Sequence, residues 1–138
     1  MVALRGTCAR RQVGCVIMDE FKRELATGYN GPQRGAPHCI DTPCVGVLHE
    51  PGTGLSVCEA IHAEANALMR CPDVLAARYC FVTVSPCVDC VKLLLNTGVF
   101  EIVFRRPYSH DRVAGDRWCA TGRYWTQYNT NGTAVQEA

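Results

Sequence analysis

Tyr79-Cys80-Phe81-Val82-Thr83-Val84-Ser85-Pro86-Cys87-Val88-Asp89-Cys90-Val91-Lys92-Leu93-Leu94-Leu95-Asn96 changes its periodicity halfway along. Tyr79 to Val84 is an apolar, β-branched and aromatic run that reads as a strand and stops at Ser85-Pro86. From Cys87 the apolar residues return at helical spacing, through Val91, Leu94 and Leu95, and Gly98 closes the helix. Glu101 to Phe104 reads as the next strand. On the amino-terminal side, Ile61, Ala65, Leu68 and Met69 recur at helical spacing from Glu59 until Pro72. Helix, strand, helix, strand is the order expected of a parallel sheet with crossover helices.

Outward from this centre, Val13 to Met18 and Glu24 to Tyr29 are two further β-prone runs, joined by the polar break Asp19 to Arg23 as a hairpin. Gly28-Tyr29-Asn30-Gly31-Pro32 stops the second strand, because two glycines and a proline cannot continue a central ladder. Residues 33–57 carry Gly, Pro, His and Cys without a period, and a connection this long is either functional or pinned by something. After Arg105 the periodicity fades, with a short last strand near Thr133 to Gln136 or a frayed tail as the two readings.

The chain has 138 residues, 48% of them hydrophobic, enough for one core and one domain over residues 1–138. A formal net charge of +1 without a basic stripe argues for a small substrate and against a nucleic-acid partner. No apolar run reaches membrane-spanning length and the first residues lack a signal peptide's apolar stretch, so a cytoplasmic protein without membrane contact is expected. Ten cysteines without a secretory signal favour metal ligation over a disulfide framework. Cys15, Cys71, Cys80 and Cys119 have no ligand-like spacing and read as buried or free thiols.

His62-Ala63-Glu64 opens one helix and Pro86-Cys87-Val88-Asp89-Cys90 opens the next. One imidazole and two thiols make the three-ligand set of a catalytic zinc, whose fourth position is left for a water with its pKa lowered to ~7. Glu64 is the spare carboxylate for proton transfer. His62 and Glu64 lie about 200° apart around an ideal helix, so both reach one site only over the helix's amino-terminal end. There, two helix starts would turn their positive dipole ends toward the thiolates. A Cys-x-x-Cys alone is also a redox pair or half a structural zinc site, and a His-x-Glu alone is weaker still. Their combination on successive helix starts carries the inference, and a structural zinc would not need Glu64.

Gly28-Tyr29-Asn30-Gly31, His62-Ala63-Glu64-Ala65-Asn66-Ala67 and Ser85-Pro86-Cys87-Val88-Asp89-Cys90 together resemble the deoxycytidylate (dCMP) deaminase family, over roughly residues 7–108. The resemblance implies an α/β fold of cytidine-deaminase type, a three-layer α/β/α arrangement with a five-stranded mixed sheet. It implies hydrolytic deamination of dCMP to dUMP and ammonia, feeding thymidylate synthesis, with zinc on His62, Cys87 and Cys90 and Glu64 as the proton shuttle. Asn30, Asn66, Ser85 and Tyr108 resemble the family's substrate-contacting positions, with Arg34 and Arg106 available for a 5′-phosphate. Asn30 reads equally well as a turn residue and Tyr108 as plain packing. The family is commonly homohexameric, activated by dCTP and inhibited by dTTP. The segment after Tyr108 departs from the family pattern, which has a helix there. A tRNA or nucleoside deaminase would share the zinc motif, and a non-catalytic zinc-binding module is the reading outside the enzymes.

Cys8, Cys39, Cys44 and Cys58 remain near the helix that carries His62. A second, structural zinc on these four, with His38 replacing one of them and His49 a further spare nitrogen, would hold the long loop closed. A subset of dCMP deaminases carries Cys or His at similar positions around an additional zinc, so the resemblance points the same way. Reduced buried thiols are the bland reading.

Overall fold

The structure, a computed structural model, describes residues 2–8, 11–42, 60–108, 111, 113–129 and 134–137. Six strands form one mixed sheet: β1 (Gly14–Asp19), β2 (Glu24–Tyr29), β3 (Ala77–Val84), β4 (Glu101–Arg106), β5 (Tyr124–Tyr128) and β6 (Ala134–Glu137), in the spatial order β2-β1-β3-β4-β5-β6. β1 is antiparallel to both neighbours, β3, β4 and β5 are parallel, and β6 returns antiparallel on the edge. The mixed sheet implied by the resemblance is present with a sixth strand: the last strand anticipated near Thr133 to Gln136 is β6, and β5 is the one the sequence reading did not name.

Strand alternation divides the sheet into two faces. One carries Cys15, Ile17, Cys80, Val82, Ile102 and Phe104, which join the buried side chains of α1 (Ala63–Arg70), α2 (Val88–Leu95) and α3 (Ala114–Cys119) in a single core. Val91 and Leu94 of α2 are fully buried, each contributing about 1.5–3 kcal/mol. Toward the opposite face, the space beside Gly14 is filled by the backbone of Val2 and Ala3, within the 3₁₀ turn Val2–Arg5. Of the layers expected on either side, α1 to α3 make one, and this turn covers part of the other.

The β1–β2 hairpin turns at Lys22, whose φ of 59° is left-handed. Such a conformation is costly for a residue with a Cβ. Asp19 offsets it by accepting the Phe21 and Arg23 backbone N–H groups, both at 2.9 Å, and pairing with Arg23 Nε at 2.9 Å.

Several boundaries differ from the sequence reading, β4 among them, which runs on to Arg106. β3 starts at Ala77, two residues early. The first helix opens at Ala63 and not at Glu59, because Ile61 is taken by a bridge to Gly31, with N–H···O distances of 2.7 and 3.1 Å in the two directions. Ile61 therefore mimics helical spacing while its backbone serves the sheet. After Tyr108, where the sequence reading settled no helix, the chain forms the six-residue α3 followed by β5 and β6. Trp118 of α3 is fully buried and donates its indole N–H to the Tyr124 carbonyl at 2.8 Å.

Candidate metal centre

The site is built by the starts of two helices that meet at one end of the sheet. Gly28 makes the first placement: a Cβ there would stand 2.4 Å from Ala63 O and Ala67 N, so only glycine lets α1 lie this close on β2. The Gly31–Ile61 bridge then fixes the entry to α1, leaving His62 as its N-cap. Val84 ends β3, and after Ser85-Pro86 the N-cap of α2 is Cys87.

These placements bring His62 Nδ1 to 3.4 Å from Cys87 Sγ and 3.3 Å from Cys90 Sγ. The three ligand atoms lie within 4.8 Å of one another. Among the described residues this is the metal-ligating cluster of three or more such side chains. Nitrogen and sulfur bound to one tetrahedral zinc, at about 2.0–2.1 and 2.3 Å, stand roughly 3.6 Å apart. The donors therefore fit Zn²⁺ with small movements.

Glu64, on the first turn of α1, is 4% exposed, and burial raises its carboxyl above the ordinary carboxylate range. The three donors are strongly coupled. A hydrogen bond from Cys90, followed by one from His62, holds the Cys87 thiol down at about 4. Cys90, donating to Cys87 and shut away from water, is pushed up, and the bond to Cys87 raises His62. Two sulfurs and one imidazole competing for protons at contact distance are a set that a divalent cation would relieve by displacing the thiol protons.

Of the other anticipated site residues, Asn66, Asn30 and Ser85 each have a backbone partner in the fold. Asn66 donates to the Tyr29 carbonyl at 2.9 Å. Asn30 is buried, its Oδ1 accepting from Val13 N at 2.8 Å and its Nδ2 donating to Arg11 O at 2.7 Å. Ser85, also buried, accepts the Tyr108 backbone N–H at 2.7 Å. Arg34 and Arg106 are exposed. Cys8 and Cys39 are buried on backbone segments joined by the Ile40 N–Thr7 O bond of 3.0 Å, while His38 is exposed. Cys44, His49 and Cys58 lie outside the described residues. Cys15 and Cys80 are fully buried, 3.5 Å apart through their sulfurs, as expected of thiols without a ligand role.

Two further residues escape a reading by period. The Arg11 guanidinium lies 4.8 Å from the centre of the Tyr108 ring. With Arg105 and Arg106 it lines a cavity of about 1030 Å³ at the carboxyl ends of β3 and β4. Asp111 accepts Val88 N–H at 2.6 Å. An Asp shortly before a helix start is a capping signal for α3, but nothing in the order of residues points it at α2.

Residues 1–106 match the family described as the cytidine and deoxycytidylate deaminase zinc-binding region. The chain belongs to this family. It is 35% identical to the Saccharomyces cerevisiae deoxycytidylate deaminase over 115 residues, 80% of this chain and 36% of the yeast protein. The Mycobacterium phage D29 deoxycytidylate deaminase is 36% identical over 109 residues, 74% of this chain and 84% of the phage protein. The deaminase-family chain thus spans little more than a third of the yeast relative's length and most of the phage relative's. In three dimensions it is similar to the crystal structure of the cyanophage S-TIM5 dCMP deaminase in complex with dCMP and dUMP, with a TM-score of 0.68 at 25% identity, covering 91% of this chain and 87% of that one. The cytidine-deaminase-type fold of the sheet and its helices is thereby established.

Proposed function

We propose that this protein is one zinc-dependent deaminase domain that converts dCMP and water to dUMP and ammonia. The observation that carries the reading is the buried Glu64 carboxyl beside the His62–Cys87–Cys90 cluster. A structural zinc site has no use for a desolvated acid at its rim. Held by His62, Cys87 and Cys90, a zinc ion supplies the Lewis acid that makes a water nucleophilic near neutral pH. Glu64, its proton affinity raised by burial, takes a proton from the attacking water, delivers it to N3 of the pyrimidine and serves the departing amine. The phage D29 relative and the dCMP and dUMP in the cyanophage structure support this choice of substrate.

In this reading the 5′-phosphate is met by arginines. Arg11, Arg105 and Arg106 converge on one cavity, with Tyr108 stacked under Arg11. Asn30 and Asn66 retain a second amide proton or lone pair each for the sugar or base. Activation by dCTP, inhibition by dTTP and assembly into a homohexamer complete the proposal. Exposed Met69 on α1 and Leu93 on α2 support assembly. No helix among the described residues is long and apolar enough to cross a membrane, and we place the enzyme in the cytoplasm. The second, structural zinc on Cys8, Cys39, Cys44 and Cys58, with His38 as the alternative ligand, is supported by the burial of Cys8 and Cys39 on adjoining segments.

The test is ammonia release by zinc-loaded protein from dCMP, deoxycytidine, cytidine and a tRNA anticodon stem, with and without dCTP and dTTP. dCMP should be by far the best substrate. Equal kcat/KM for dCMP and deoxycytidine would overturn the phosphate reading, and release from the tRNA stem alone would reassign the enzyme.

A further inference from the structure

We infer that Asp111 is a positioning residue for the metal centre: its carboxylate ties the start of α2, the element carrying both thiolate ligands, to the start of α3. The inference rests on the reading of His62, Cys87 and Cys90 as zinc ligands. The first turn of an α-helix leaves backbone N–H groups without intrahelical partners, and a side chain at the N-cap ordinarily meets one of them. In α2 the N-cap is Cys87, and its side chain makes no capping bond. Its sulfur belongs to the ligand cluster instead. A group from elsewhere in the chain therefore caps this helix.

Asp111 does so from 23 positions away. Oδ2 accepts the Val88 N–H at 2.6 Å, while Oδ1 accepts those of Val113 and Ala114, each at 3.1 Å. One carboxylate closes two helix starts, where the helix dipoles favour its negative charge. Among the α2 first-turn donors, the Val88 N–H is thereby met by Asp111. The bond to Val88 fixes the peptide plane that follows Cys87. Tilting that plane would swing Cys87 Sγ away from His62 Nδ1, 3.4 Å from it. Asp111 touches none of the three ligands and acts through the backbone between them. Partners that orient ligands in this way are typically worth about 10- to 100-fold in metal affinity.

The experiment measures zinc release from purified full-length protein into excess chromogenic chelator, beside zinc content and thermal unfolding. Wild-type protein should hold zinc on the His62 cluster, and Asp111→Ala should release that ion about 10- to 100-fold faster. Asp111→Asn keeps one carbonyl acceptor for Val88 and should fall between the two, which preserves the test if the alanine variant does not fold. Trp118→Phe loosens α3 from its other end by giving up the bond to Tyr124, and should lower the unfolding temperature without hastening zinc release. Release from both Asp111 variants within twofold of wild type would overturn the inference, as would equal acceleration by Trp118→Phe. Wild-type protein whose zinc is unaffected by His62→Ala and Cys87→Ser would instead overturn the ligand reading on which it rests.

Discussion

Asn66 Nδ2 donates to the Tyr29 carbonyl at 2.9 Å, tying α1 to the end of β2 one helical turn beyond His62. The bond joins two of the motifs that carry the family resemblance. Asn66→Ala should destabilise the protein by about 1 kcal/mol, the net worth of such a bond. Asn66→Asp, which keeps the shape but cannot donate, should lose as much. Denaturant unfolding of zinc-loaded protein measures both, and an unchanged midpoint for the two variants would remove the clamp.

Glu64 is buried in the first turn of α1, two residues after His62, where the proposed mechanism makes it the proton shuttle. Glu64→Gln should retain zinc and lose at least ~10²- to 10⁴-fold in dCMP turnover, the usual share of general acid–base catalysis. Single-turnover deamination by metal-analysed protein measures this, and near-normal turnover would take the proton shuttle away from Glu64.

Gly28 has no room for a side chain beneath α1. Gly28→Ala should cost about 1–3 kcal/mol, as an overpacked core does. Because the clash falls on the backbone of Ala63 and Ala67, His62 and Glu64 should move with the helix. Reduced stability together with weaker zinc retention is the expected pair of results; a lower unfolding midpoint alone would mean that α1 absorbs the methyl group without moving its amino end.

Asp19 holds the hairpin together, and hydrogen bonding, first from the Arg23 backbone N–H, keeps its carboxyl below the ordinary value. A depressed folded-state pKa stabilises the fold at pH above the unfolded value of ~3.9, and that stability is lost as pH falls through the folded-state value. Acid titration followed by circular dichroism should therefore show wild-type stability falling between about pH 4 and the folded-state pKa. Asp19→Asn should be less stable at neutral pH and flatter across that window; a parallel pH profile would contradict the assignment.

Cys39 tests the second zinc. Full-length protein should contain two zinc ions per chain, and Cys39→Ser should lose one of them and unfold more readily, since a closed structural site uses all four ligands. Elemental analysis giving one zinc, indifferent to that substitution, would eliminate the site.

The order of residues alone determined the strand, helix and strand between Tyr79 and Phe104 and singled out His62, Cys87 and Cys90, which the fold brings together. Periodicity is a local property, and a sulfur or imidazole declares its chemistry wherever it lies. Only the tertiary structure decided which polar side chains are already engaged by the fold. Asn30 and Asn66 resemble substrate-contacting positions in a motif, yet each has a backbone partner, because the closeness of α1, β2 and residues 11–13 puts carbonyls and N–H groups within reach. Ile61 repeats at helical spacing but pairs with Gly31. α3, at six residues, is too short to show an apolar period and owes its place to the burial of Trp118. Asp111 meets Val88, and Arg11 meets Tyr108, across separations that carry no period. Caps and stacking partners are chosen by proximity in space, and that proximity exists only after the apolar faces of the helices have closed on the sheet.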